Sequence, residues 1–293
     1  MLEAKDGRNA GEDQGNKLLV LQSDFGRSDG AVCAMYGVAN SVDPSVRIFD
    51  LTHDIPQYDI WEASYRLYQT ISYWPKGTVF VSVVDPGVGS ERRSVAVRTA
   101  AGHYVITPDN GTLTHLKKFI GIEAARMIDE RANRRPDSEY SYTFHGRDIY
   151  AYTGARLAAR QIAFAQLGPA VAIDSLVELP VAEACIKDGR IVGNIDVLDI
   201  RFGNLWTNIH RRLLKDAGIH YGDRLEVAIY HRVREVYKET MTFGRTFSDT
   251  RVGEPIVYVN SLDNVGVAIN QGSFADANGI GNGKDWRISI CKI

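Results

Sequence analysis

Cysteine, an excess of either charge and long apolar runs are all scarce in this 293-residue chain, and each shortage removes a class of explanation. The three cysteines, Cys33, Cys185 and Cys291, are odd in number, widely spaced and without a C-x-x-C pair, so neither a disulfide framework nor a zinc site is signalled. A reducing cytoplasm is the expected location. Lys and Arg number 34 against 36 Asp and Glu, a formal net charge of −2, which offers no electrostatic footprint for nucleic acid or an anionic membrane. No apolar run approaches the roughly 18 to 20 residues of a membrane span. The first sixteen residues, MLEAKDGRNAGEDQGN, are polar, lack the apolar segment of a secretion signal and read as a disordered tail over 1–16. What remains is ordinary: 44% hydrophobic and 24% charged residues exclude collagen-like, coiled-coil and wholly disordered classes. The length allows one large domain or two of usual size, with room for a buried site that takes a small ligand.

From Lys17 short β-rich runs alternate with helical stretches, the pattern of an α/β domain over 17–180 with a largely parallel central sheet. The strand candidates are 18–23, 46–50, 78–84, 94–99 and 103–107. Residues 30–42 place Val32, Met35, Val38, Ala39 and Val42 on one helical face, and Asp59 to Glu62 has capping-box spacing at the start of a second helix. A third helix is expected from Asp148 to Ala163. Segment 108–145 is less periodic, and its stretch RANRRPDSE reads as a solvated loop. The junction falls near 175–190. Over 188–293 helical periods fade, and strands at 191–198, 224–230, 256–260, 265–269 and 287–291 recur between turns, giving a smaller β domain of mainly antiparallel strands.

Polar residues gather after strands, where open α/β sheets bind ligands. Asp24, in SDFG (23–26), follows the first strand; its carboxylate either accepts hydrogen bonds from a ribose diol or caps the next helix. In VVDPGVG (83–89) an apolar strand ends in Asp85 on a Pro- and Gly-bearing loop that leads to Arg92 and Arg93, so Asp85 and Arg92 form either a surface ion pair or part of a site. The Walker pattern and G-x-G-x-x-G are both absent. His145, in FHGRD (144–148), is a general base, an oriented donor or a helix cap. His53, in THD (52–54), reads as structural, because no second histidine at ligand spacing supports a metal. DIRFGNLWTN (199–208) suits a flat heteroaromatic ring, with Phe202 stacking and Asn204 bonding its edge, or else is a turn with a packed Trp206. Asn260-Ser261 is a weaker site of the same kind.

Together these segments resemble the S-adenosyl-L-methionine (SAM) hydroxide adenosyltransferase family, the SAM hydrolases related to fluorinating and chlorinating enzymes. SDFG (23–26), DLTHDIP (50–56), VVDPGVGSERR (83–93), TPDNGTL (107–113), FHGRD (144–148), DIRFGNLWTNI (199–209) and VNS (259–261) stand in the family's order from about Lys17 to the C-terminus. The resemblance implies an N-terminal α/β domain, a C-terminal β-barrel-like domain and a homotrimer with sites between neighbouring subunits. It implies a catalytic triad of Asp85, Arg92 and His145, with either Asp85 or His145 as the base. Asp24 would hold the ribose hydroxyls and Tyr58 would pack near the substrate. Asp199 and Asn204 would hold the methionine or ribose end, Phe144, Phe202 and Phe247 would enclose adenine, and Ser261 would face methionine. Leu262 stands where the halogenating relatives carry an arginine.

The expected reaction is SAM hydrolysis at ribose C5′ to adenosine and L-methionine, with SAM as substrate and neither cofactor nor metal. The halogenating relatives carry a tyrosine at the place of Asp85, a serine at that of Gly146, and, in the fluorinating enzymes, a loop insertion between about Val97 and Tyr104. The resemblance therefore favours water over halide at this site. A SAM- or adenosine-binding sensor without turnover and a SAM-dependent halogenase are the alternatives.

Overall fold

The computed structural model describes residues 16–293; the tail expected over 1–16 lies outside these residues but for Asn16. The chain divides into two compact units, one ending at Leu179 and one beginning at Pro180.

The first unit runs β1 (Leu18–Ser23), α1 (Ala31–Val42), β2 (Arg47–Thr52), α2 (Ile60–Ile71), β3 (Val79–Val83), β4 (Ser94–Thr99), β5 (Tyr104–Pro108), β6 (Ile122–Met127), α3 (Tyr152–Ala158) and β7 (Ala170–Val171). Its seven-stranded sheet has the order β2-β1-β3-β5-β4-β6-β7. Strands β2, β1, β3 and β5 are parallel, whereas β4, β6 and β7 pair antiparallel. Every residue of β1 and β3 is buried, because side chains alternate between two apolar layers. Leu19, Leu21, Val79, Val81 and Val83 face a core that includes Met35 and Ala39 of α1 and Ala155 of α3. Val20 and Phe80 face the opposite core, closed by Leu67 and Ile71 of α2. Each such side chain contributes about 1.5–3 kcal/mol by leaving water.

The start of α2 follows from its sequence: the Asp59 carboxylate accepts a 2.8 Å bond from the Glu62 amide. The capping box is one-sided, since the Glu62 carboxylate turns to Arg66 one helical turn on. Two expectations need correction. The helix foreseen from Asp148 to Ala163 begins as a wide turn over Gly146–Ala151 and ends at Ala158, just before Arg160 adopts a left-handed φ of 63°. Segment 108–145, in which no strand was foreseen, contains β6, whose Glu123 and Arg126 disguise a strand with only Ala125 fully buried.

The second unit runs β8 (Cys185–Lys187), β9 (Arg190–Asp199), β10 (Asn204–His210), α4 (Arg211–Asp216), β11 (Arg224–His231), β12 (Arg234–Phe243), β13 (Pro255–Val259), β14 (Asn264–Ile269), α5 (Phe274–Asn278) and β15 (Trp286–Lys292). The order β10-β14-β13-β12-β11-β15-β9 closes through a β9–β10 pairing, so seven strands form a barrel and β8 extends β9 outside it. Closure removes free sheet edges. Alternate residues such as Leu225, Val227 and Ile229 of β11 and Ile288 and Ile290 of β15 fill the interior. The stretch 199–208, read from sequence as suited to a flat ring or as a turn with a packed Trp206, comprises the β9–β10 turn and the first residues of β10. There Gly203, at φ 64°, lies where a Cβ would fall 1.8 Å from the Ser273 hydroxyl, so only glycine makes this turn. Among the described residues no helix is long and apolar enough to cross a membrane.

Candidate active site

In the strand order of the first sheet, β2 lies on one side of β1 and β3 on the other. The strand order thus proceeds to opposite sides of β1 while these strands stay parallel, a topological switch point, and the crevice beyond the carboxyl ends of β1 and β3 is the usual ligand position in such sheets. Asp24 follows β1 immediately, and Asp85 lies two residues past β3. A cavity of about 270 Å³ at this edge is lined by Asp24, Tyr58, Asp85, Phe144, His145 and Gly146 among others.

The Asp85–Arg92 pair is buried, with side-chain exposures of 6% and 10%, and so is not a surface ion pair. Arg92 Nε donates to Asp85 Oδ1 at 2.9 Å and Nη2 to Oδ2 at 2.5 Å, a bidentate clamp. The same guanidinium donates from Nη2 to His145 Nδ1 at 3.0 Å and from Nη1 to Ser94 Oγ at 3.0 Å. Ser94 donates to Glu130 Oε1 at 2.6 Å and lies 2.9 Å from the Tyr150 hydroxyl. Burial opposes the Arg92 charge, but the Asp85 hydrogen bonds and the negative groups around it outweigh burial and raise its pKa. Burial lowers the pKa of His145; Glu130 and Asp85 push it up, Arg92 and Arg134 push it down, and the net direction is down. Arg134 faces the ring's other nitrogen, with Nη2 3.4 Å from Nε2.

Asp24 is not the helix cap: Asp29 accepts from the Ala31 amide at the start of α1. Asp24 Oδ2 instead accepts a 2.9 Å bond from the backbone N–H of Tyr58, a non-glycine residue at φ 67°. Such a conformation is strained and needs support of this kind. Phe25 and Phe144 pack edge to face with centroids 5.6 Å apart. A Cβ on Gly146 would lie 3.0 Å from Val83 and 3.1 Å from Phe25, so these side chains close the space that a larger residue would need.

His53 is structural, as expected. Ser23 Oγ lies 2.6 Å from His53 Nδ1 and His53 Nε2 lies 3.0 Å from Asp50 Oδ1, a series that imitates a serine-hydrolase triad. Ser23, however, has 0% exposure and no substrate can reach it. The His53 carbonyl accepts from the Gly26 amide at 2.8 Å, so this series braces the turn that carries Asp24.

The second unit has its own cavity, of about 900 Å³, lined by Asp199, Phe202, Asn204, Phe247 and Ser261 among others. Thus the sequence-derived set divides in two: Asp24, Tyr58, Asp85, Arg92, Phe144, His145 and Gly146 gather at the sheet edge, and the other five line the barrel cavity. Asp199 and Asn204 are cross-strand partners at the β9–β10 turn, with Asn204 Nδ2 3.5 Å from Asp199 Oδ2. Trp206 donates from Nε1 to the Tyr258 hydroxyl at 3.1 Å, and the Tyr258 ring lies 5.0 Å from that of Phe247. Sequence reasoning passed over Tyr258 and gave Asn260 little weight. Asn260 Oδ1 accepts from the amides of Leu262 and Asn264, while its buried Nδ2 has no hydrogen-bond partner among the described residues. Glu130 and Arg134 were missed altogether, because Arg134 lies within the charged, Pro-bearing stretch RANRRPDSE and Glu130 just before it, and neither local pattern signals that these side chains reach His145 and Ser94.

Residues 19–168 match the SAM hydroxide adenosyltransferase N-terminal domain and residues 193–287 match the corresponding C-terminal domain. An (R)-S-adenosyl-L-methionine hydrolase of Salinispora tropica is 34% identical over 272 residues, covering 92% of this chain and 97% of that protein. A fluorinase of an Actinoplanes species is 30% identical over 286 residues, covering 89% of this chain and 93% of its own length. A conserved protein of Thermotoga maritima superposes with a TM-score of 0.86 at 27% identity, over 93% of this chain and 99% of that one. With both of its units matched and an ion-paired Asp-Arg-His cluster at the sheet's switch point, the chain belongs to the SAM hydroxide adenosyltransferase family.

Proposed function

We propose that this chain hydrolyses SAM at ribose C5′ with water as the nucleophile. A bond forms from the water oxygen to C5′ as the C5′–sulfur bond breaks; the sulfonium sulfur keeps the bonding pair and leaves as the neutral thioether of L-methionine. Adenosine is the other product, and the proton lost by water passes to the Asp85–His145 pair. The reaction so written needs neither cofactor nor metal. The observation that carries this reading is that Asp85 and His145 line the sheet-edge cavity beside Asp24 and are tied to one another through the buried Arg92. Holding water in line with C5′ can supply several kcal/mol by itself, and the Arg92 charge favours a developing hydroxide.

In this reading Asp24 accepts from the ribose hydroxyls through Oδ1, its Oδ2 being taken by Tyr58, and Tyr58 and Phe144 pack on the substrate beside Gly146. Phe202 and Phe247 cover adenine, Asp199 and Asn204 hold polar edges of the substrate, and Ser261 faces the methionine end. A cytoplasmic homotrimer completes the proposal, in keeping with cysteine usage and the family resemblance; light scattering at assay concentration tests the trimer, and an active monomer would refute it.

Water is favoured over halide by two features of this site. At ~4 Å two like charges repel by roughly 4 kcal/mol at an effective dielectric near 20, so an ionised Asp85 discriminates against an anion, with the Arg92 charge paired to it offsetting part of that repulsion. Gly146 is hemmed by Val83 and Phe25, which leaves little room for the serine of the halogenating relatives. The test is incubation of the purified protein with SAM and identification of products by mass spectrometry. Adenosine and methionine are expected. Binding without product would favour a sensor, and a 5′-halo-5′-deoxyadenosine formed in chloride or fluoride would favour a halogenase.

A further inference from the structure

The groups around His145 are arranged in a way that the proposed triad does not use. The imidazole faces an arginine at each nitrogen: Arg92 Nη2 lies 3.0 Å from Nδ1, and Arg134 Nη2 lies 3.4 Å from Nε2. Guanidinium groups only donate. A doubly protonated ring would point an N–H at a cationic donor on both sides, whereas a neutral ring keeps one lone pair for an arginine to meet. Arg134 is held for this position. Its side chain is 9% exposed, its guanidinium carbon lies 5.2 Å from the Tyr142 ring centre, and Nη1 donates to the Ser141 carbonyl at 3.4 Å. Among the described residues the acid paired with it is Glu130, whose Oε2 is 3.9 Å away and whose Oε1 is taken by Ser94.

We propose that Arg134 is a positioning residue for the reaction, which together with Arg92 keeps the His145 ring uncharged and oriented, ready to take or relay a proton. Glu130 is the counterweight. The charged groups that face His145 are Asp85 on the loop after β3, Arg92 on the lead into β4, and Glu130 and Arg134 on the segment after β6. Tyr150, on the turn that His145 begins, reaches this group through Ser94. Burial and the two arginines act in one direction, Glu130 and Asp85 in the other. A base must be unprotonated before it can act, so the two arginines extend the active range toward acid. The sign follows directly: removal of a neighbouring cation stabilises imidazolium, raises the pKa of His145 and moves the acid limb of the rate profile to higher pH. Removal of the Glu130 charge moves it to lower pH.

This inference rests on the hydrolase reading, and the experiment separates the two. His145 is titrated by NMR in the full-length, substrate-free protein with labelled histidine, its ring signal assigned by its loss in His145→Gln. The same measurement is made on Arg134→Gln, Arg134→Lys and Glu130→Gln, and the pH profile of kcat is recorded for each protein that turns SAM over. The expected results are an upward shift of the His145 titration and of the acid limb in Arg134→Gln, a position near wild type in Arg134→Lys, which keeps the charge, and a downward shift in Glu130→Gln. An unchanged titration in Arg134→Gln, or a shift of the same sign in Arg134→Gln and Glu130→Gln, overturns the inference, including where kcat falls. If the titrations shift as expected while SAM is left intact by every protein, it is the hydrolase reading that fails.

Discussion

The sheet-edge cavity is small and charged, at about 270 Å³, whereas the barrel cavity is about 900 Å³ and offers rings and amides in place of a paired acid and base. Their side chains differ in burial and in how many bonds hold them. Asp85, Arg92 and Arg134 are all at least nine-tenths buried and tied by several hydrogen bonds, whereas Phe202 is 66% and Phe247 43% exposed. Displacement at carbon requires the reacting groups to be fixed within a fraction of an ångström, which a buried ion pair at the end of two fully buried strands provides. Recognition of a flat ring requires area and a few polar atoms. The contrast suggests a division of labour: chemistry at the sheet edge, grip at the barrel.

That division is broken most severely by Asp85→Ala. It leaves Arg92 buried without its carboxylate, which costs about 3–5 kcal/mol of stability where one partner of a buried pair is removed. It should lower kcat by roughly 10²–10⁴ with little change in KM, the signature of a group acting in the transition state. Thermal unfolding measured beside steady-state kinetics separates the two effects; an Asp85→Asn protein with full hydrolytic rate would show that the charge is not what activates water. Next in size is Asp24→Ala. Loss of hydrogen bonds to a charged acceptor is worth about 1.5–3 kcal/mol, so KM should rise by roughly 10- to 100-fold with kcat less affected. An unchanged KM would remove Asp24 from the ribose. The smallest effect is expected in the barrel: Phe247→Ala removes a ring whose aromatic contact is worth about 0.5–1.5 kcal/mol, so KM should rise by a few-fold and kcat stay as it is. A fall in kcat with KM unchanged would place chemistry in the barrel and end the division.

How much of this was legible in the sequence depends on what each residue's role rests on. Strands β1 and β3 were readable because both faces are buried and nearly every residue is apolar. The half-exposed β6, next to last in its sheet, and the exposed β12, REVYKETMTF, were not, because solvent permits charge along most of their length. The two acids after β1 and β3 could be placed at strand ends from local pattern, yet Asp85–Arg92 was indistinguishable from a surface pair until burial decided it. Asp24 was open between cap and ligand until Asp29 proved to be the residue bonded at the helix start. Glu130 and Arg134 were beyond reach of spacing, since only tertiary folding brings residue 134 beside residues 92 and 145. Order along the chain, and so family resemblance, carried more of the site than any single motif.

The most direct test of the central claim is SAM turnover in water enriched in heavy oxygen, with chloride or fluoride present, and mass analysis of the nucleoside. Attack by water at C5′ puts one heavy oxygen on the 5′-hydroxyl of adenosine and none on methionine. Adenosine carrying that label as the main product is the result predicted; unlabelled adenosine, a 5′-halo nucleoside as the main product, or intact SAM after prolonged incubation would contradict it.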